Sequence, residues 1–188
     1  MQAGAFFAAE TILLVTLQDL RGYNPFQVGW ALTVGSIGWT LGSWLQSQRW
    51  VRLSRDAFIT VGSALSVVGI AGLAAFAWLP SLPIGAALVA WIVAGTGMGL
   101  TMPSSAVAVM SLSSRFEQGR NQSSLQVAES VGNSVVTAVA GGIYTGLLLA
   151  EPERLSYTAA LSASLLVAVA ALVVGRRIGR IDNDLLSS

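Results

Sequence analysis

Six apolar blocks of similar length divide this 188-residue chain, and no other feature restricts its fold so sharply. They run approximately over residues 3–20, 27–45, 57–79, 84–102, 121–149 and 157–175. Each is close to the roughly 20 residues that a helix needs to cross a hydrocarbon core. The fifth is the longest and must tilt or extend beyond the hydrocarbon. The connectors are short and carry turn chemistry: "RGYNPF", "RLSRD", "LPSLP", "SRFEQGRNQ" and "AEPERLS". The pattern predicts an all-α membrane protein: a six-span transmembrane domain over residues 1–180, followed by a cytoplasmic tail over 181–188.

Composition agrees. Hydrophobic residues make up 54% of the chain and charged residues 10%, with a mean hydropathy of +0.68. A soluble domain carries about 25% charged residues, so this chain could not cover a water-facing surface. With no Cys and no His, disulfides, thiolate or imidazole metal sites, and Ser-His or Cys-His catalytic pairs are all excluded. A net charge of +1 gives no nucleic-acid signal, and the sequence calls for no cofactor. No basic segment precedes "MQAGAFFAAE", so the first block does not read as a cleavable signal peptide.

Arginine placement orients the spans. Arg49, Arg52 and Arg55 follow the second, Arg115 and Arg120 the fourth, and Arg176, Arg177 and Arg180 the sixth. Only Arg21 and Arg154 occupy the other loops. The positive-inside rule then predicts cytoplasmic termini. All ten basic residues are Arg, which hints at a GC-rich bacterial genome and nothing more, and the expected location is a bacterial cytoplasmic membrane. Trp30, Trp50 and Trp78 fall near the interfaces, as in an aromatic belt. Trp39 and Trp91 fall mid-span, where they either pack toward lipid or offer π faces to a lipophilic cation.

Small residues suggest packing faces: Gly38 and Gly42 in "GSIGWTLGS", and Gly62, Ser66 and Gly69 in the third span. In "AGTGMGLTMPSS", Gly95, Gly97, Gly99 and Pro103 predict a loosened helix, either a structural kink or the flexible wall of a substrate path.

Two acids lie deep inside spans. Glu10 stands nine residues before Asp19, and Glu129 nine residues after Arg120, so each lies about 14 Å from its own surface at 1.5 Å per residue. On that count both converge on the midplane of a core about 30 Å thick. An ionised carboxylate there costs several kcal/mol unless it is paired or hydrated, and no basic residue is central to any span. In "SSLQVAESVGNSVV", Gln122, Gln126, Glu129 and Asn133 fall within about 60° of one another on a helix, with Val127, Val131 and Val135 opposite. The stripe reads either as interhelical packing or as a wetted wall whose acids serve proton exchange or attract a cationic substrate.

This order of features resembles the carboxyl-terminal six-helix half of a major facilitator superfamily transporter. "LVTLQDLRGYNPFQVGWAL" is similar to the end of that family's seventh helix, its outer loop and the start of its eighth. "GTGMGLTMPSSAVAVMS" resembles the Gly-rich tenth helix, and "GRNQSSLQVAESVGNSVVTAVAGGIYTGLL" the eleventh. In flavour the sequence is most like the drug:proton antiporter branch. One departure stands out. The family's loop signature places Asp four residues after a Gly, and "GSWLQSQRWVRLSR" has Gln46 at that place after Gly42. The resemblance implies that the first, second, fourth and fifth spans line a central cavity, with substrate bound between two six-helix halves.

The leading expectation is therefore a secondary transporter, or its C-terminal half, exporting small amphipathic molecules against protons. Glu129, Glu10, Gln126, Asn133, Gln122, Trp39 and Trp91 are its candidate site residues. Alternatives are a non-transporting membrane scaffold or accessory subunit and, far behind, an intramembrane enzyme. A single half would leave its polar cavity face toward lipid. The expected partner is a missing N-terminal half, suggested by the absence of an Arg anchor before "MQAGAFF", or a second copy of the chain.

Overall fold

A computed structural model describes residues 1–48, 51, 53–148 and 154–177. Arg49, Trp50, Arg52, Arg180 and the tail over 181–188 lie outside the described residues. Among those described there are six long helices and no strand: α1 (Gln2–Val15), α2 (Pro25–Ser47), α3 (Arg55–Trp78), α4 (Ile84–Ser111), α5 (Gln118–Gly146) and α6 (Arg154–Gly175). α1 continues into a π-helical turn, Thr16–Leu20.

Local chemistry explains the boundaries. Gly22 adopts φ 68°, the left-handed conformation that ends a helix at little cost in glycine. The Tyr23 N–H donates back to the Leu17 carbonyl at 3.0 Å. Two residues on, a capping box starts α2. The Asn24 side chain accepts from the Gln27 N–H at 2.9 Å, and Gln27 Oε1 accepts from the Asn24 N–H at 3.0 Å, with Pro25 in the first turn.

α1 together with its π-helical turn (Gln2–Leu20), α3, α4 and α6 are long and apolar enough to cross a membrane. α2 and α5, with 23 and 29 residues, are long enough but interrupt their apolar runs with amide and hydroxyl side chains. The structure is thus the expected all-helical bundle. Its fourth helix runs nine residues past the expected end at Met102.

Small residues set the packing. α4 lies between α2 and α3, and its glycines point both ways. A Cβ on Gly95 would meet the Gly35 carbonyl at 2.5 Å, and one on Gly99 the Trp39 carbonyl, both on α2. Gly97 faces Gly62 and Ser66 of α3. Gly38 and Gly42 of α2 lie against the carbonyls of Ile92 and Thr96, while Gly62 and Gly69 of α3 fit against Gly97 and Ala94. The fourth helix loses one bond of its own ladder at Pro103 yet runs on unbroken. Its glycines are the contact points of a three-helix seam that allows close backbone approach.

Opposite registers fix the directions. Gly38 meets Ile92 and Gly42 meets Thr96, so α2 and α4 run parallel, whereas Gly62 meets Gly97 and Gly69 meets Ala94, so α3 opposes α4. Met1 lies against Gly132, and Gly4 against Gly132 and Val136, so α1 runs parallel to α5. At the far end of α1, Arg21 crosses to the C-terminal end of α3. Its Nη1 donates to the Pro80 carbonyl at 2.9 Å, and Nη2 to those of Phe76 and Leu79 at 2.6 and 2.9 Å. The guanidinium also stacks 4.2 Å from the Phe76 ring centre. This arginine, an exception to the loop bias, caps the end of a neighbouring helix.

Candidate functional site

The two acids do not meet. Gly4 and Gly132 share a level, with Glu10 six residues beyond the first and Glu129 three residues before the second. Because α1 and α5 are parallel, the two carboxylates are separated by roughly 13 Å along the bundle. Counting from loop charges assigned both the same depth because it ignored where each helix begins relative to its neighbour. That convergence is corrected: each acid has its own surroundings.

Glu10 occupies a cavity of about 310 Å³ with Phe6, Phe7, Gly35, Ser36, Trp39 and Thr40. Phe6 and Phe7 precede it by four and three residues, which places all three on one face of α1. Across the cavity, the Trp39 ring stands edge-on to Phe6 at 5.9 Å and tilted to Phe7 at 6.3 Å. Ser36 and Thr40 direct their hydroxyls to carbonyls of their own helix, so their oxygens can still accept. The result is a carboxylate in an aromatic recess.

Glu129 stands between two further cavities. One, of about 280 Å³, is bounded by Trp39, Met102, Pro103, Ala106, Gln122 and Gln126. The other, of about 310 Å³, is bounded by Gln2, Met98, Thr101, Ser105 and Leu125 among others. Trp39 is therefore common to the Glu10 recess and the Gln122–Gln126 cavity, and separates them.

Neither carboxylate has a hydrogen bond or ion pair with a described side chain. Around Glu129 the amides are equally unsatisfied. Gln122 Oε1, Asn133 Oδ1 and both amide atoms of Gln2 are buried without a hydrogen-bond partner. Buried amides left unpaired cost about 1–3 kcal/mol each, so this wall favours water or a polar ligand in its cavities.

Of the candidate residues, Gln122, Gln126 and Glu129 line one cavity together, Glu10 lines another, and Trp39 lies between them. Asn133 continues the stripe one turn beyond Glu129. Trp91 does not belong. It is 1% exposed and stacks on Phe6 at 4.5 Å, with Gly35 leaving room for its indole. Neither lipid nor a substrate reaches it, which corrects both sequence readings of that residue. Phe6 and Phe7 line the Glu10 recess and Gln2 a Glu129 cavity, and the sequence reading did not single them out. Gln2, Phe6 and Glu10 recur every four residues, a stripe that was visible in principle.

Residues 1–137 match the family model of the Major Facilitator Superfamily. A search of curated proteins returns no significant match.

Proposed function

Since the chain belongs to the Major Facilitator Superfamily of membrane transporters, we propose that it acts, with a second six-helix half, in proton-coupled efflux of small amphipathic cations. The observation that carries this reading is Glu129, which has no hydrogen bond or ion pair with a described side chain and is set between two cavities among orphaned amides. Such a group exchanges protons with water in the cavity, and its charge then feeds back on anything positive bound nearby. Glu10 supplies the complementary site. A carboxylate flanked by Phe6, Phe7 and Trp39 suits a cation with an apolar body, because the rings offer π faces while the acid supplies charge.

In this reading the proton and the cation occupy different levels, with Trp39 between them. Protonation of Glu129 and loading of the Glu10 recess each favour one orientation of the two halves, which rock about the central cavity. The bundle here is the C-terminal half, in a bacterial cytoplasmic membrane with both termini cytoplasmic. The second half is an N-terminal six-helix unit or another copy of this chain.

The test is uptake of a fluorescent lipophilic cation into inside-out vesicles from cells making the protein, with an imposed proton gradient. Glu129→Gln should insert normally and abolish gradient-driven uptake. Glu10→Gln should weaken apparent cation affinity or narrow the range of cations taken. Uptake at the wild-type rate in Glu129→Gln vesicles would reduce the polar stripe to packing and favour a scaffold.

A further inference from the structure

Pro103 lies inside α4 without ending it, and the reason is found on the neighbouring helix. Proline has no N–H, so the carbonyl four residues earlier, that of Gly99, lacks its intrahelical donor. α2 meets the deficit. Ser43 Oγ donates to the Gly99 oxygen at 3.3 Å, and Gln46 Nε2 approaches the same oxygen at 3.5 Å. Gln46 Oε1 meanwhile accepts from Ser104 Oγ at 2.8 Å, and Ser104 is fully buried.

This double engagement needs an amide. A carboxylate could accept from Ser104, but it would turn a second acceptor toward the Gly99 carbonyl instead of a donor. Ser43 and Gln46 reach α4 only because Gly99 has no side chain to hold the helices apart. The same short stretch of α4, through Met102, Pro103 and Ala106, forms a wall of the Glu129 cavity.

We propose that Gln46 is a positioning residue: it holds the proline-interrupted segment of α4 against α2 and so sets where the Met102–Ala106 wall stands relative to Glu129. The consequence for transport rests on the function proposed above, whereas the position of the wall can be read without it.

The chain has no cysteine, so one at Ala106 reports the wall directly. Its modification rate by a small hydrophilic thiol reagent is measured in membranes containing the full chain. Gln46→Leu, and Gln46→Glu with its donor lost, should each change that rate by about fivefold, the factor that the loss of one hydrogen bond commands while Ser43 still serves the Gly99 carbonyl. Pro103→Ala returns an N–H to Gly99. In that background Gln46→Glu, which still accepts from Ser104, should shift the rate by no more than about twofold. The apparent KM for the cation should move with the labelling rate in both backgrounds. If Gln46→Leu fails to insert, recovery on adding Pro103→Ala supports the proposal and failure to recover overturns it. Unchanged labelling in both Gln46 variants, or equal shifts with and without Pro103→Ala, also overturns it. Should Glu129→Gln transport normally while the labelling pattern holds, the functional reading falls and the clamp stands.

Discussion

α4 and α5 are nearly equal in length, at 28 and 29 residues, yet the bundle uses them in opposite ways. α4 is buried along its course from Ala87 to Ala108, whereas Ala140 is the one buried residue of α5. In α4 the polar demands are answered by neighbours: Ser43 and Gln46 turn to Gly99, and Ser66 donates to the Ala94 carbonyl at 3.4 Å. In α5 the amides of Gln122 and Asn133 are left with unanswered oxygens. The first helix shows how a membrane bundle makes itself rigid, by removing side chains where backbones meet. The second shows a helix with polar groups that the six-helix bundle alone does not satisfy. Under the proposed function, that difference puts stability mainly in α4 and transport chemistry mainly in α5.

The comparison can be broken at the seam. Gly99→Leu drives a side chain into the Trp39 carbonyl and Ser43, and should destabilise the protein by about 3 kcal/mol or more. Little folded material should survive mild heating in detergent. Normal thermal stability would show that the seam does not hold the bundle. A smaller loss is expected at the far end. Arg21→Lys gives up the planar fork that serves the carbonyls of Phe76, Leu79 and Pro80, and should cost about 1–2 kcal/mol. Thermal melting of the two proteins side by side checks it. The smallest effect should come from α5. Val135 is 56% exposed, so Val135→Ala should change stability by about 0.5 kcal/mol or less in the same assay. A large loss there would mean that this face is packed against something essential to the fold. Crosslinking sharpens this last point. A cysteine at Gln126 should trap a dimer in native membranes if a second copy covers α5, and no dimer if an N-terminal half does.

Much of this was legible in the residues, for identifiable reasons. Block lengths reflect membrane thickness, so helix number followed directly, whereas the start of α2 at Pro25, two residues before the expected edge at 27, is set by the Asn24–Gln27 capping box. The stripe from Gln122 to Asn133 was visible because helical periodicity is local. Relative depth was not, since it depends on which residues touch across helices. The contact of Gly4 with Gly132 moved Glu10 and Glu129 apart, and no count from a loop could reveal it. Trp91 failed for the same reason: being mid-span does not say which side of a helix is covered. The glycines of α4 were recognised as unusual but read as a kink or a flexible wall, because the facing glycines of α2 and α3 complete the seam only in three dimensions. Gln46 looked like a departure from a family pattern until the carbonyl freed by Pro103 gave it a partner.

Water access along α5 tests the central claim most directly. In the cysteine-free chain, single cysteines at Gln122, Gln126 and Val135 are exposed in native membranes to a small hydrophilic thiol reagent, with and without the lipophilic cation. Cysteines at Gln122 and Gln126 should react readily and slow when the cation is present, while that at Val135 stays nearly inert. Equal reactivity at all three positions, or a reactive Val135 cysteine beside inert Gln122 and Gln126 cysteines, would contradict a hydrated transport cavity on the polar face of α5.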